Sequence, residues 1–205
     1  MALAPQFAGH RWGASNAPHV LEANLDYVCP FSAKLYKRLR SEVLPFIDKN
    51  YPGKVQFIFR QQIQPWHPSS TIVHEAAIAV EKLDSSKFFD FSDKLFDAQK
   101  QYFDESVQNL SRAQIYESLA SYVNEIGLSS SDFLSLLHIP VAIKPEEIRN
   151  AGNKITNELK WHIKFGRQNG IHVSPTILFD GIIDNDISSA WTFDQWKEWL
   201  AKNVV

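Results

Sequence analysis

Strand-like alternation flanks a long block of helical spacing. His19–Leu25 (HVLEANL) alternates apolar and polar positions imperfectly and predicts a first strand. Phe31, Leu35, Leu39, Val43 and Phe46 then recur by threes and fours, which predicts a helix opened by Pro30 and broken or kinked at Pro45. Lys54–Arg60 (KVQFIFR) alternates again as a second strand. From Ser69 onward the spacing is helical: Val73, Ala76, Ala77 and Val80 follow a Ser69 or Ser70 cap, and Phe88, Phe91, Leu95 and Phe96 form a second apolar face. Ser111 with Gln114 reads as a capping box before Ile115–Ile126, and Ser129 with Asp132 starts a short helix. A further helix is expected from Pro145 through Ile148, Ile155, Leu159 and Ile163 to Gly170. Thr176–Phe179, the turn Asp180-Gly181 and Ile182-Ile183 predict a hairpin, and Thr192 caps a last helix through Trp196 and Leu200. Residues 1–17 read as an irregular arm and 18–205 as one domain with a helical insertion at about 69–169. The order, βαβ then helices then ββα, is an α/β layout.

Composition narrows the function classes. The 205 residues carry 21 Lys+Arg against 23 Asp+Glu, a net charge of -2 that gives no electrostatic case for nucleic acid. No apolar run approaches a membrane span. Met1–Pro18 lacks the apolar core of a secretory signal. Cys29 is the one cysteine, which excludes an intrachain disulfide and suits a reducing compartment, so a cytoplasmic location is expected. The seven histidines show no metal spacing, and no metal is expected.

Cys29 falls between a predicted strand end and a predicted helix start. Its sulfur would face unpaired amides and the positive end of the helix dipole, and both favour thiolate. Against that stands the common fate of a free cysteine, a small buried hydrophobe. The polar-aromatic loop with Gln62, Gln64, Trp66 and His67 follows the second strand, where open α/β sheets bind ligands, and His67 is a candidate acid or base. Lys34, Lys37, Arg38 and Arg40 form either a solvated face or an attractant for anionic ligands.

Cys29-Pro30-Phe31-Ser32 resembles the active-site motif of the thioredoxin superfamily, and Val173-Ser174-Pro175-Thr176 resembles its cis-proline loop. With a helical block between the halves, the chain resembles the DsbA-like subgroup, which includes kappa-class glutathione transferases and 2-hydroxychromene-2-carboxylate isomerases. The resemblance implies a thioredoxin fold in which Cys29 and Pro175, about 145 residues apart, meet. It implies Cys29 as nucleophile, Ser32 as a donor to its thiolate, and Pro30, Phe31, Ser174, Pro175 and Thr176 as the substrate dock, to which the loop position adds Trp66 and His67. Ser32 stands where disulfide oxidases of this group carry a second cysteine, so an outside thiol such as glutathione would have to release Cys29. Three functions follow: a monothiol oxidoreductase acting on glutathione-mixed or protein disulfides, a kappa-type glutathione transferase or isomerase, and a non-catalytic binding module. Partners expected are glutathione, as co-substrate rather than resident cofactor, or a disulfide-containing peptide or protein; a homodimer is left open.

Overall fold

The computed structural model describes residues 4–205. Two strands hold its centre: β2 (His19–Leu25) and β3 (Val55–Gln61) pair in parallel, with Leu21 opposite Phe57 and Ala23 opposite Phe59. Every β3 residue is buried, as expected of a strand covered on both faces. Beyond β2 lie β4 (Thr176–Phe179) and β5 (Ile182–Ile183), both antiparallel to their neighbours. They join through Asp180 and Gly181 at φ 51° and 82°, the left-handed pair that a two-residue hairpin turn requires.

The expected irregular arm contributes a strand. β1 (His10–Trp12) pairs antiparallel with β3 and completes the order β1-β3-β2-β4-β5. It is three residues long, too short for alternation to register. Residues 1–3 of that arm lie outside the described residues.

The βαβ crossover runs through α1 (Pro30–Arg38) and α2 (Leu44–Asn50), joined by a π turn over Leu39–Val43. Pro45 therefore does not end the helical run. The wider turn absorbs the amide that proline lacks, and helical geometry continues to Asn50.

The inserted block contains α3 (Ser70–Leu83), α4 (Phe88–Asp97), α5 (Asp104–Val107), α6 (Arg112–Glu125), α7 (Ser130–Leu137) and α8 (Thr156–Gln168). α3 is its axis, with Val73, Ala76, Ala77, Ala79 and Val80 buried. Phe88, Phe91 and Phe96 of α4 are buried too, and the Phe88 and Phe59 rings lie 5.4 Å apart, so the phenylalanine-rich stretch is core. Neither Ser69 nor Ser70 caps α3 with its side chain: the Ser69 hydroxyl donates to the Tyr102 carbonyl and that of Ser70 to Asp26. The helix expected from Pro145 is only a turn, Pro145–Glu147, and helix resumes at Thr156. Gly152 at φ +75° and the Asn153 side chain, which accepts from the Ile155 amide, interrupt it, and Ile148 is left 72% exposed. At α6 the capping box holds: Ser111 Oγ accepts from the Gln114 amide, and Gln114 Oε1 accepts from that of Ser111. Ser111→Ala is expected to cost about 1 kcal/mol, read as a lower urea midpoint.

α9 (Phe193–Asn203) packs on β4, with Trp196 and Leu200 buried and Trp199 edge-on to Phe179 at 4.8 Å. The end of β2, the start of α1 and the entry to β4 meet at one end of the sheet's central strands.

Candidate active site

Cys29 is the N-cap residue of α1, in extended backbone, with Pro30 in the first turn. No side chain caps this helix, so its first amides stay open beside the sulfur. The Cys29 amide donates to the Asp26 carbonyl at 3.1 Å, and its carbonyl accepts from Gln99 Nε2 at 3.1 Å. These bonds fix the backbone from both sides. The sulfur lies 3.4 Å from the Ser174 carbonyl oxygen, toward which a thiol would donate. The Ser174–Pro175 peptide bond is cis. The two segments singled out in the sequence are therefore neighbours, although Cys29 keeps only 5% of its surface exposed.

The other candidates divide. Phe31 is 63% exposed beside the buried sulfur, and Val173 stands out on the facing loop. Thr176 Oγ1 donates to the Val173 carbonyl at 2.8 Å, and the Asn24 side chain donates to the Thr176 carbonyl at 3.3 Å. These contacts set the loop's shape at the entry to β4. Trp66, 60% exposed, faces elsewhere: it lines a separate cleft of about 370 Å³ with Gln62, Arg167 and His172. Ser32 is fully buried, and its hydroxyl accepts from the Asp26 amide at 3.2 Å. Its described bond runs to that amide rather than to the Cys29 sulfur. Three of the four cations flanking α1 are paired: Lys37 with Asp97 at 2.6 Å, Arg38 with Glu42, and Arg40 with Asp93 at 2.7 Å. That is the solvated-face reading of the patch.

Sequence reasoning missed Asp26. It is completely buried, three residues before Cys29. Its Oδ1 accepts from the Val28 amide at 3.0 Å and from Ser70 Oγ at 3.0 Å. Its Oδ2 accepts from the Gln64 amide at 3.1 Å and faces His67 Nδ1 at 2.9 Å. His74 Nε2 lies 3.4 Å from Oδ1. Burial works against the carboxylate, but the His74, His67 and Val28 contacts outweigh it and hold the carboxyl below its usual range. Apart from Val28, these partners are 38 to 48 residues away, so no local motif could have revealed them.

His67 borders a cleft of about 540 Å³ with Val28, Pro30, Lys100, Tyr102 and Asp104. Val28 and Pro30 are the two chain neighbours of Cys29, so the cleft runs alongside the turn that carries it. A second polar line runs inward from Asp26. His74 contacts the Gln61 side-chain oxygen, Gln61 Nε2 meets His10 at 2.9 Å, and His10 Nδ1 lies 3.3 Å from Glu81. Chemically, the site offers one sulfur at a helix start, a facing loop carbonyl, an accessible imidazole and a buried carboxylate. No helix among the described residues is long and apolar enough to cross a membrane.

Comparison with solved structures finds the same fold in several proteins. A candidate protein-disulfide isomerase from Pseudomonas syringae superposes with a TM-score of 0.74 at 23% identity, covering 95% of this chain and 99% of that one. BdbD from Bacillus subtilis, in its oxidised form, gives 0.67 at 21% identity, covering 95% and 91%. The thiol-disulfide exchange protein alpha-DsbA2 from Wolbachia pipientis gives 0.65 at 19%, covering 96% and 89%. At these identities the likeness is one of fold: a DsbA-like thioredoxin fold, α/β with a helical insertion. No curated protein sequence matches the chain. A family model described as Thioredoxin does match it, over residues 7–202, and on that match the chain belongs to the thioredoxin family.

Proposed function

We propose that this chain is a monothiol thiol-disulfide oxidoreductase that acts on glutathione-mixed or protein disulfides through Cys29, with glutathione as co-substrate. The observation that carries the reading is the placement of the only thiol at the uncapped start of α1, 3.4 Å from the Ser174 carbonyl. A thiolate there has open amides to stabilise its charge. Among the described residues the Val173 and Ser174 amides donate to no backbone carbonyl. That leaves the loop an edge on which an extended peptide or glutathione pairs as a strand. Phe31 and Val173 supply apolar flanks for such a substrate. Since Cys29 is the one cysteine, each cycle passes through a mixed disulfide that an outside thiol resolves.

The test is turnover of a glutathionylated peptide with reduced glutathione. Acceleration of peptide release over the uncatalysed exchange supports the reading, and no acceleration removes it. A second reading, a non-catalytic binding module on this fold, draws on the 5% exposure of Cys29 and the serine at position 32. It predicts normal folding and unaltered partner binding in Cys29→Ala.

A further inference from the structure

We infer that Asp26 is a positioning residue that holds His67 in one tautomer, so that the free ring nitrogen exchanges the proton of each thiol passing through Cys29. The inference rests on the monothiol exchange proposed above and assigns that exchange its proton carrier.

A neutral imidazole carries its proton on one nitrogen, and the bond made by the other end decides which. Here His67 Nδ1 lies 2.9 Å from Asp26 Oδ2, and the carboxylate can only accept. The proton therefore sits on Nδ1, and Nε2 is the nitrogen left for substrate. Asp26 is itself over-determined. Backbone amides from the turn before Cys29 (Val28) and from the loop bearing His67 (Gln64), with Ser70 at the start of α3, all donate to it. One buried carboxylate thus sets the position of the sulfur's turn and of the histidine together. The His67 side chain keeps 23% exposure, enough to meet a ligand, whereas His74 on the other side of the carboxylate keeps none. His67 shares its cleft with Val28 and Pro30, and the other charged groups lining that cleft are Lys100, Asp104 and Glu105. The Ser32 hydroxyl accepts from the Asp26 amide at 3.2 Å.

The cycle balances. The Cys29 thiolate attacks the glutathionyl sulfur of a mixed disulfide; a new S–S bond forms, the old one breaks, and the peptide thiolate leaves. Protonated His67 gives that thiolate its proton. Neutral His67 then takes the proton of an incoming glutathione thiol. The resulting thiolate attacks the Cys29-bound glutathionyl sulfur, forms glutathione disulfide and restores the Cys29 thiolate. One mixed disulfide and one glutathione become one peptide thiol and one glutathione disulfide, and the proton on His67 is restored.

The experiment joins the nitrogen NMR spectrum of histidine rings in the full chain with turnover of the glutathionylated peptide. We expect the Nδ1–H tautomer at His67 in the wild type and its loss as a single form in Asp26→Asn. His67→Gln should lower kcat by about 10²-fold. Asp26→Asn should lower kcat in the same direction. The double variant should lie within about twofold of His67→Gln, because the two residues act as a unit. A wild-type His67 protonated on Nε2 would overturn the inference. So would a His67→Gln enzyme with wild-type rate and pH profile, or an Asp26→Asn variant that only melts earlier and keeps the tautomer. Should Asp26→Asn not fold, the wild-type tautomer and the His67→Gln rate decide between the same outcomes. A wild type without turnover refutes the monothiol reading and with it the proton-carrier role, whereas turnover in wild type and in His67→Gln alike refutes this inference alone.

Discussion

Cys29→Ser is expected to reduce glutathionylated-peptide turnover to the uncatalysed background, a loss of about 10³-fold or more. The expectation follows from count and place. Cys29 is the single sulfur nucleophile that a cysteine can supply in this chain, and it lies at the α1 start against the Ser174 carbonyl. A hydroxyl at the same position keeps the shape but is scarcely ionised at neutral pH, so the attack on sulfur stops. Folding should be unaffected, because oxygen for sulfur at a site with 5% exposure removes little buried apolar area. Ser32→Ala is the informative companion. It removes the acceptor of the Asp26 amide, and so should disturb stability and the Cys29 turn together. Turnover that survives Cys29→Ser would instead fit a glutathione transferase or isomerase, in which bound glutathione supplies the thiol.

The second large effect is acid lability that sets in just below neutrality. Two histidines are held neutral by the fold. His10 is buried, and burial depresses its protonation more than Glu81 restores it, with Arg60 and His74 adding to the depression. His162, its ring 5.3 Å from that of His10, is held well below the ordinary value, first by burial and then by His10, Arg60 and His74. In the unfolded chain both return to about 6.5. Between that value and the lowered folded values the unfolded chain binds protons that the folded chain refuses, so stability falls as pH falls. The slope approaches about 1.4 kcal/mol per pH unit for each histidine. Asp26 acts in the same direction but in a lower pH window. Its folded carboxyl is depressed, so its contribution is present above the ordinary carboxylate range and is lost only in stronger acid. Urea midpoints measured from pH 7.5 down should fall steadily from about pH 6.5. His162→Gln should reduce that slope by about half, since it removes one of the two groups. A midpoint that stays level to about pH 5 would contradict the account of these histidines.

The elements that were legible in sequence carried their instructions locally. The α6 capping box joins Ser111 to Gln114 three residues away, and Thr192 with Gln195 repeats the device at α9. The Asp180-Gly181 turn demanded positive φ at both positions and took it. What sequence did not disclose was non-local or masked. β1 exists because β3 offers it an edge, and three residues hold too little alternation to announce it. The apolar spacing of Ile148 and Ile155 imitates a helix, but Gly152 and Asn153 between them prefer a turn. At the site, Cys29 and Pro175 were legible because both sit in recognisable short motifs. Asp26 was not, since its meaning comes from Gln64, His67, Ser70 and His74 after the sheet has formed. Trp66 and His67 are adjacent in sequence yet line different clefts, a division set by the loop's path.

The central claim is that the Cys29 sulfur is the atom through which disulfides exchange, and mass spectrometry of the folded chain with glutathione disulfide tests it most directly. The account predicts one glutathionyl group, on Cys29, gained within the folded state and released by reduced glutathione. A folded chain that stays unmodified, while the urea-unfolded chain takes up the same group, would contradict it.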